Sequence, residues 1–535
     1  MICNKKKIVY WGTGLICNSC LKYRKDIVPD FFIDSNPKGD INGKKVCKPS
    51  EIDNWDSLFV VITSTYISEI SNVLKSYGLK ENIDFASYKI FFDIDSSCIT
   101  SINKIKKYFS ENSDYKNPIL ILGWFFTARQ PDRMQNFFCN YSKDKKVVYL
   151  TYLDFIDEKH ASELLNGKVF NLADVIRWDG TEKNYPCCTD SLEGFSYDLN
   201  LAEKGFVKSI ENRKVCSNNI KQPLDIIQGL YSYIKQIFNV MQPLKVIIWG
   251  EWSRTSYIFA ELAKKNNIPY GFMEWGWIPG TIQFDKGGIA GQSEYAVTPA
   301  LFNNRKNQYT NLGLIESIKK YVLSNQLDTG IFKVIPEDEK QLGKFDPAKK
   351  TVFLVGMGDV EMGMNPNDNY WKEYVSEVVS STADSYSLIR EICKKNDLNF
   401  IYKPHPHARS KSEDEKYRSD ESTIYITDMS IDRLINMADV VVSIASAVDY
   451  KVLMYDKPLV SLGKTGFNDK DCVYEVHSRN ETEKILVSAL EKDMTLEQKD
   501  NYNQYLQFLL ENYLWDDLTH PDFKYGLTFD KDFFD

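Results

Sequence analysis

FIYKPHPHARS (residues 400–410) and IYITDMSIDRLINMADVVVSIASAVDYKVLMYDKPLVSLG (residues 424–463) are the stretches on which the fold is read. The apolar run Phe400 to Tyr402 predicts a short strand, and the prolines behind it cannot continue as helix, so His405 is expected at that strand's C-terminal end. A second apolar run, Val440 to Ile444, leads directly into Ala445, Ser446 and Ala447, small residues that let a ligand approach the backbone where the next helix begins. Two neighbouring parallel strands are thus expected to deliver His405 and the pair Ser443 and Ser446 to one cleft.

Around these stretches lie 535 residues, enough for about three or four domains, and an apolar content of 43% that can fill several cores. Acidic and basic residues are interspersed and the net charge is −8, which argues against the basic footprint of a nucleic-acid-binding protein. The run Lys5 to Lys7 reads as a solubilising edge before a strand. Eleven cysteines show no repeated C-x-x-C spacing, and Cys187 and Cys188 are too close for ordinary bridging, so a reduced cytoplasm is expected. There is no signal-peptide pattern and no apolar run near the roughly 18–20 residues that span a bilayer, which predicts a protein without a transmembrane segment, at most peripheral at the inner membrane face. No set of His, Cys, Asp and Glu has metal-ligand spacing, so no metal is expected.

The chain begins with a strand, Lys7 to Trp11, that leads into Gly12-Thr13-Gly14, and a second strand ends at Asp34. This is the outline of a first Rossmann unit, but the third glycine position is Cys17. Residues 1–100 resemble the small Rossmann-like modules attached to many bacterial sugar-modifying enzymes, and a structural or interaction role is preferred to a nucleotide site at Gly12, Gly14 and Asp34. Residues 101–116 read as a linker helix. An α/β domain follows over 117–335, with strands at Ile119 to Leu122, Val147 to Tyr152, Leu244 to Trp249 and Pro269 to Met273. Its candidate polar residues are Arg129 and Arg133, Glu251 and Ser253 at a strand-to-helix turn, and Glu274 behind the last strand. A second α/β domain, 336–480, starts with the strand Thr351 to Val355 and the loop Gly356-Met357-Gly358-Asp359-Val360-Glu361, and 481–535 reads as a helical segment.

Two α/β domains with their loops at the strand ends make the arrangement of a two-lobed GT-B glycosyltransferase with Rossmann-like lobes, here preceded by the small extra domain. The motifs of the second domain resemble those of the bacterial capsule Kdo transferases of the capsule polysaccharide biosynthesis group. They are the loop Gly356 to Glu361, Lys403-Pro404-His405-Pro406, Asp428-Met429-Ser430-Ile431-Asp432-Arg433-Leu434, the strand end Ser443 to Ser446, and Lys457-Pro458 to Gly463. Glu274-Trp275-Gly276 is similar to the E-x-G of those enzymes, and the resemblance keeps one order from about 244 to 463. One departure is the acidic loop, which has Asp359 and Glu361 but lacks the glutamine that precedes the family's aspartate.

The resemblance implies a metal-independent glycosyltransferase that takes a sugar from a nucleotide-activated donor, with CMP-Kdo or a similar acidic sugar leading, and passes it to a glycan or glycolipid acceptor. Capsule assembly proteins are the implied partners. His405 would stabilise the departing phosphate, Glu274 would take the acceptor proton, and Asp359 or Glu361 would act as nucleophile or stabilise the oxocarbenium-like centre. Gly356, Gly358, Lys403, Ser443 and Ser446 would hold the donor. His407 reads as incidental, and Asp428 and Asp432 as helix-capping and surface residues. Two alternatives stay open: a teichoic-acid-type polyol-phosphate transferase using a CDP-linked donor, and a catalytically inactive scaffold.

Overall fold

The computed structural model describes residues 6–24, 27–37, 39–64, 66–81, 83–91, 98–123, 138–139, 141–151, 157–172, 223–250, 254–278, 281–324, 336–359, 371–405 and 411–516. The fold is α/β with three mainly parallel sheets, as the sequence predicts. It divides into two compact units: Met1–Gly194, Ser217–Trp249 and Ile258–Pro269 make the first, and Phe195–Cys216, Gly250–Tyr257 and Tyr270–Asp535 the second. Among the described residues no helix is long and apolar enough to cross a membrane.

The first unit opens with β1 (Lys7–Trp11), β2 (Phe31–Ile33), β3 (Val46–Cys47), β4 (Leu58–Ile62) and β5 (Phe85–Ser87), paired in parallel in the order β3-β2-β1-β4-β5. This is the strand order of a Rossmann-like sheet, with its reversal between β1 and β4. Gly12 has a φ of +108°, and a Cβ there would meet Thr63 O at 2.8 Å and Ser64 Cβ at 2.9 Å. The close approach of the end of β4 therefore requires this glycine. The Asp34 carboxylate accepts the Thr13 N–H at 3.0 Å, the Thr13 hydroxyl at 2.5 Å and the Asn36 N–H at 2.9 Å. Gly12 and Asp34 thus have full structural explanations, whereas a Cβ on Gly14 would point into open space. The segment expected as a linker helix, 101–116, overlaps α1 (Cys98–Glu111), which starts three residues earlier and ends at Glu111. Beyond it β6 (Ile119–Leu122), β7 (Val147–Thr151), β8 (Lys168–Asn171) and β9 (Lys245–Trp249) pair in parallel in the order β9-β6-β7-β8.

The second unit begins with an antiparallel pair, β10 (Tyr270–Trp275) and β11 (Thr281–Asp285), that sets Glu274 opposite Gln283. The strand expected over 269–273 continues through Trp275, so Glu274 lies inside it and not in the loop behind it. The cause is the immediate return of β11: the Gly276 N–H donates to Thr281 O at 2.7 Å, which extends the ladder.

Its main sheet contains β12 (Thr351–Val355), β13 (Asn399–Lys403), β14 (Ile424–Tyr425), β15 (Val440–Ser443), β16 (Leu459–Ser461) and β17 (Tyr474–Glu475). All pairs are parallel, in the order β14-β13-β12-β15-β16-β17. The strand alternation fills two cores. Val352, Leu354, Phe400, Tyr402, Val440 and Val442 pack on one face. Phe353, Val355, Ile401 and Val441 pack on the other. Each such side chain contributes roughly 1.5–3 kcal/mol by leaving water.

One expectation is corrected here: β13 and β15 are not neighbours, because β12 lies between them and the chain winds outward from β12 in both directions. The helices α2 (Thr382–Lys395), α3 (Ile431–Met437) and α4 (Val448–Met454) connect these strands. The expected helical segment beyond 480 is two helices, α5 (Thr482–Lys492) and α6 (Leu496–Asn512), broken at Asp493 with φ +53°. β18 (Leu514–Asp516) then pairs antiparallel with β11.

A completely buried carboxylate, Asp338, ties the chain behind β14 in place. It accepts the N–H groups of Thr427 at 3.0 Å, Asp428 at 2.8 Å and Met429 at 3.0 Å, and the Thr427 hydroxyl at 3.1 Å. Asp338→Ala leaves three amides without an acceptor and is expected to lower the unfolding free energy by at least about 2 kcal/mol in urea titration. An unchanged midpoint and slope would contradict this role.

Candidate functional site

The loops behind β13, β12 and β15 leave the same edge of the sheet in that spatial order, with the reversal of strand order between β12 and β15. In open α/β sheets this is where ligands bind. The glycines 356 and 358 are explained by the histidine segment. The Gly356 N–H donates to Lys403 O at 2.8 Å, and a Cβ on Gly356 would meet Lys403 O and Pro404 Cα, each at 2.8 Å. A Cβ on Gly358 would meet His405 Nδ1 at 2.9 Å and Cγ at 3.3 Å. The two motifs, 47 residues apart in sequence, therefore form one body, with the half-buried imidazole lying over the glycine loop.

The neighbouring candidates have internal partners. Lys403 is 7% exposed, follows the alternation of β13 onto the face of Ile401, and donates from Nζ to Thr427 O at 2.5 Å. Asp359 Oδ2 accepts the Thr382 N–H at 2.8 Å and Oδ1 accepts the Thr382 hydroxyl, so the carboxylate fixes the glycine loop to the start of α2. Ser443 is completely buried at the end of β15. The Ser446 N–H donates to Asp449 Oδ2 at 3.2 Å, and Ser446 Oγ accepts the Val448 N–H at 3.2 Å. Gly463 permits close backbone approach, since a Cβ there would strike Ile444 O and come within 2.5 Å of Val375 O.

Glu274 is half-buried, and burial pushes its carboxyl up to about 7, opposed by the Trp275 N–H that donates to Oε1 at 2.9 Å. Its Oε2 lies over Gly250, 3.4 Å from where a Cβ on that glycine would sit. A chain of contacts joins its strand to the β15 turn. Gln283 Nε2 donates to Trp275 O at 3.0 Å, the Tyr295 hydroxyl donates to Gln283 Oε1 at 3.1 Å, and Trp277 Nε1 donates to the Tyr295 hydroxyl at 2.6 Å. Trp277 then stacks on Tyr450 of α4, with centroids 5.1 Å apart and planes 5° from parallel. The β10–β11 hairpin that carries Glu274 and the helix α4 behind the Ser446 turn are thus packed together within the second unit.

Glu361, His407, Arg129, Arg133, Glu251 and Ser253 lie outside the described residues. Asp432 differs from its expected capping and surface role. The cap of α3 is Ser430, whose Oγ accepts the Arg433 N–H at 3.2 Å, while Asp432 is paired with buried Lys451 at 2.8 Å and accepts the Tyr455 hydroxyl at 2.8 Å. Asp449, three residues behind Ser446, is a further acid of this turn, one that its spacing from Ser446 marks in the sequence.

No family model and no curated protein matches the chain. Several solved structures are similar. Thermosulfurimonas dismutans KpsC, a β-Kdo 2,7 transferase, is 13% identical with a TM-score of 0.32, covering 55% of this chain and 85% of its own. The β-Kdo 2,4 transferase of KpsC from the same organism is 15% identical with a TM-score of 0.33, covering 49% and 79%. The UDP-GlcNAc 2-epimerase of Methanocaldococcus jannaschii, in complex with UDP-GlcNAc and UDP, is 13% identical with a TM-score of 0.34, covering 73% and 98%. The fold itself is defined by the strand orders given above.

Because Gly358 leaves space only for the imidazole, Gly358→Ala is expected to shift the His405 ring resonances in NMR spectra, while Gly14→Ala, with open space around its Cβ, leaves them unchanged. Unshifted His405 signals in Gly358→Ala would contradict the contact.

Proposed function

We propose that this chain is a glycosyltransferase of bacterial capsule or surface polysaccharide synthesis that uses a nucleotide-activated sugar and a glycan or glycolipid acceptor. The leading donor is a CMP-activated acidic sugar such as Kdo. The observation that carries this reading is the junction of Gly358 with His405 beside the reversal of strand order in the six-stranded sheet. It joins two motifs of the capsule Kdo transferase resemblance into one body at the edge where an α/β sheet binds ligands. In this reading residues 336–480 are the donor lobe, 117–335 the acceptor lobe and 1–100 an accessory module working in the cytoplasm with capsule assembly proteins.

The proposed chemistry breaks the bond between the donor's anomeric carbon and its phosphate oxygen and forms one to an acceptor oxygen. His405 stabilises the charge that develops on the departing phosphate. Glu274 takes the acceptor proton, a role suited to a carboxyl raised to about 7, because it is a stronger base than an ordinary glutamate and is ionised above that pH. Asp359 or Glu361 supplies the negative charge at the anomeric centre, and the Thr382 contacts orient Asp359. Lys403 positions the His405 segment through Thr427, while Ser443 and Ser446 line the donor turn.

The test is incubation of the purified chain with CMP-Kdo and a panel of other sugar nucleotides, read by mass spectrometry. Transfer or donor hydrolysis is expected; neither, with every donor tried, would overturn the reading. His405→Ala should lose about 10²–10³-fold in kcat with an unchanged thermal melt. A variant with full turnover would remove His405 from the mechanism. In the wild type kcat/KM should rise with pH through about 7 as Glu274 loses its proton, and Glu274→Gln should abolish that limb. A limb that persists in Glu274→Gln belongs to another group.

A further inference from the structure

Gln283, a buried residue with no part in the chemistry above, stands directly opposite Glu274 in the β10–β11 ladder. Opposed residues of an antiparallel pair share one face of the sheet, with Cβ atoms about 4.5–5.5 Å apart. Both side chains engage the main chain of Trp275: Glu274 Oε1 accepts its N–H at 2.9 Å, and Gln283 Nε2 donates to its carbonyl at 3.0 Å. The carboxyl and the carboxamide therefore lie side by side, yet no hydrogen bond joins them. Among the described residues the Trp275 N–H is the one donor to Glu274.

A chain of donors fixes the carboxamide in this orientation. An indole N–H can only donate. The Tyr295 hydroxyl accepts it from Trp277 at 2.6 Å and has one proton left, which goes to Gln283 Oε1 at 3.1 Å. The carbonyl end of Gln283 thus faces Tyr295 and its NH2 end faces Trp275 O. Tyr295 is buried, and Trp277 is clamped by its stack on Tyr450. The titratable groups of the elements packed on this hairpin are Asp285 of β11, Glu294 and Tyr295 behind it, Tyr450 of α4, and Tyr513 and Asp516 at β18. None of them hydrogen-bonds to Glu274, whose proton affinity is set by burial against the Trp275 N–H.

We propose that Gln283 is a positioning residue for Glu274: Tyr295, itself fixed by Trp277, holds the Gln283 carboxamide on Trp275 and away from the carboxyl, which is left free to take the acceptor's proton. The inference rests on the reading of Glu274 as the acceptor's base and deepens it. An N–H donated to a carboxylate favours the charged form and makes a weaker base. Restraining the nearest amide therefore keeps the base strong.

Tyr295→Phe removes the hydroxyl and keeps the ring, so the freed carboxamide can turn its N–H to Glu274. The Glu274 titration, followed by carboxyl-carbon NMR of isotopically labelled protein and assigned by its loss in Glu274→Gln, should then move down by about one pH unit. Adding Gln283→Met should restore the wild-type midpoint, and Gln283→Met alone should leave it in place. No shift in folded Tyr295→Phe, or a shift that survives in the double variant, would overturn the proposal. So would a rise of about one unit in Gln283→Met alone, because Gln283 would then already be donating to the carboxyl. Should Tyr295→Phe fail to fold, the Gln283→Met single variant decides. The pH limb of kcat/KM is a separate readout and should move down with the titration. A titration that moves while the limb stays supports the positioning role and removes Glu274 as the base; absence of transfer with every donor sinks the proposed function, and the titration still decides the role of Gln283.

Discussion

The close approach of the glycine loop behind β12 to Lys403, Pro404 and His405 is the constraint on which the second unit's functional edge depends. Parallel strands 4.7–4.9 Å apart leave little room for side chains where their loops turn out of the sheet. Glycines at 356 and 358 remove the two Cβ atoms that would otherwise collide with the β13 segment. The consequence is positional: the imidazole is placed by backbone packing and by the proline before it, both of which restrict its motion more than a single side-chain contact would.

Acidic residues that accept backbone N–H groups complete this frame. Asp338 holds the chain behind β14, Asp359 holds the glycine loop to α2, and Asp34 does the same for the first turn of the N-terminal module through Thr13. Each satisfies backbone N–H groups that would otherwise be unpaired at the start of a loop or helix. Asp449 does the same for the β15 turn by accepting the Ser446 N–H. Glu274 stands apart, because its raised proton affinity comes from burial with one N–H contact to offset it.

Much of this architecture is legible in the sequence because it rests on local pattern. Apolar runs ended by glycine, proline or small residues located β1, β12, β13 and β15, and with them the placement of His405 and Ser446 at strand ends. Strand order is not a local property: β12 lies between β13 and β15 because the chain winds both ways from it, and no residue of β13 or β15 announces that. The extension of β10 over Glu274 depends on the return of β11, and half-buried Asp432 finds its partner in Lys451 nineteen residues away. Asp338 looks like an ordinary surface acid until the amides it accepts are in place. The Trp277–Tyr450 stack, which brings the turn between β10 and β11 onto α4, joins positions more than 170 residues apart and has no sequence signature.

The central claim is that the edge formed by the loops behind β12, β13 and β15 receives a cytidine-activated donor, with its phosphate at His405. A crystal structure of the chain with CMP bound tests it most directly. The account predicts the phosphate within hydrogen-bond distance of the His405 imidazole and the nucleoside towards the Ser443–Ser446 turn. A nucleotide bound at the N-terminal Gly12–Asp34 turn, or with its phosphate away from His405, would contradict it.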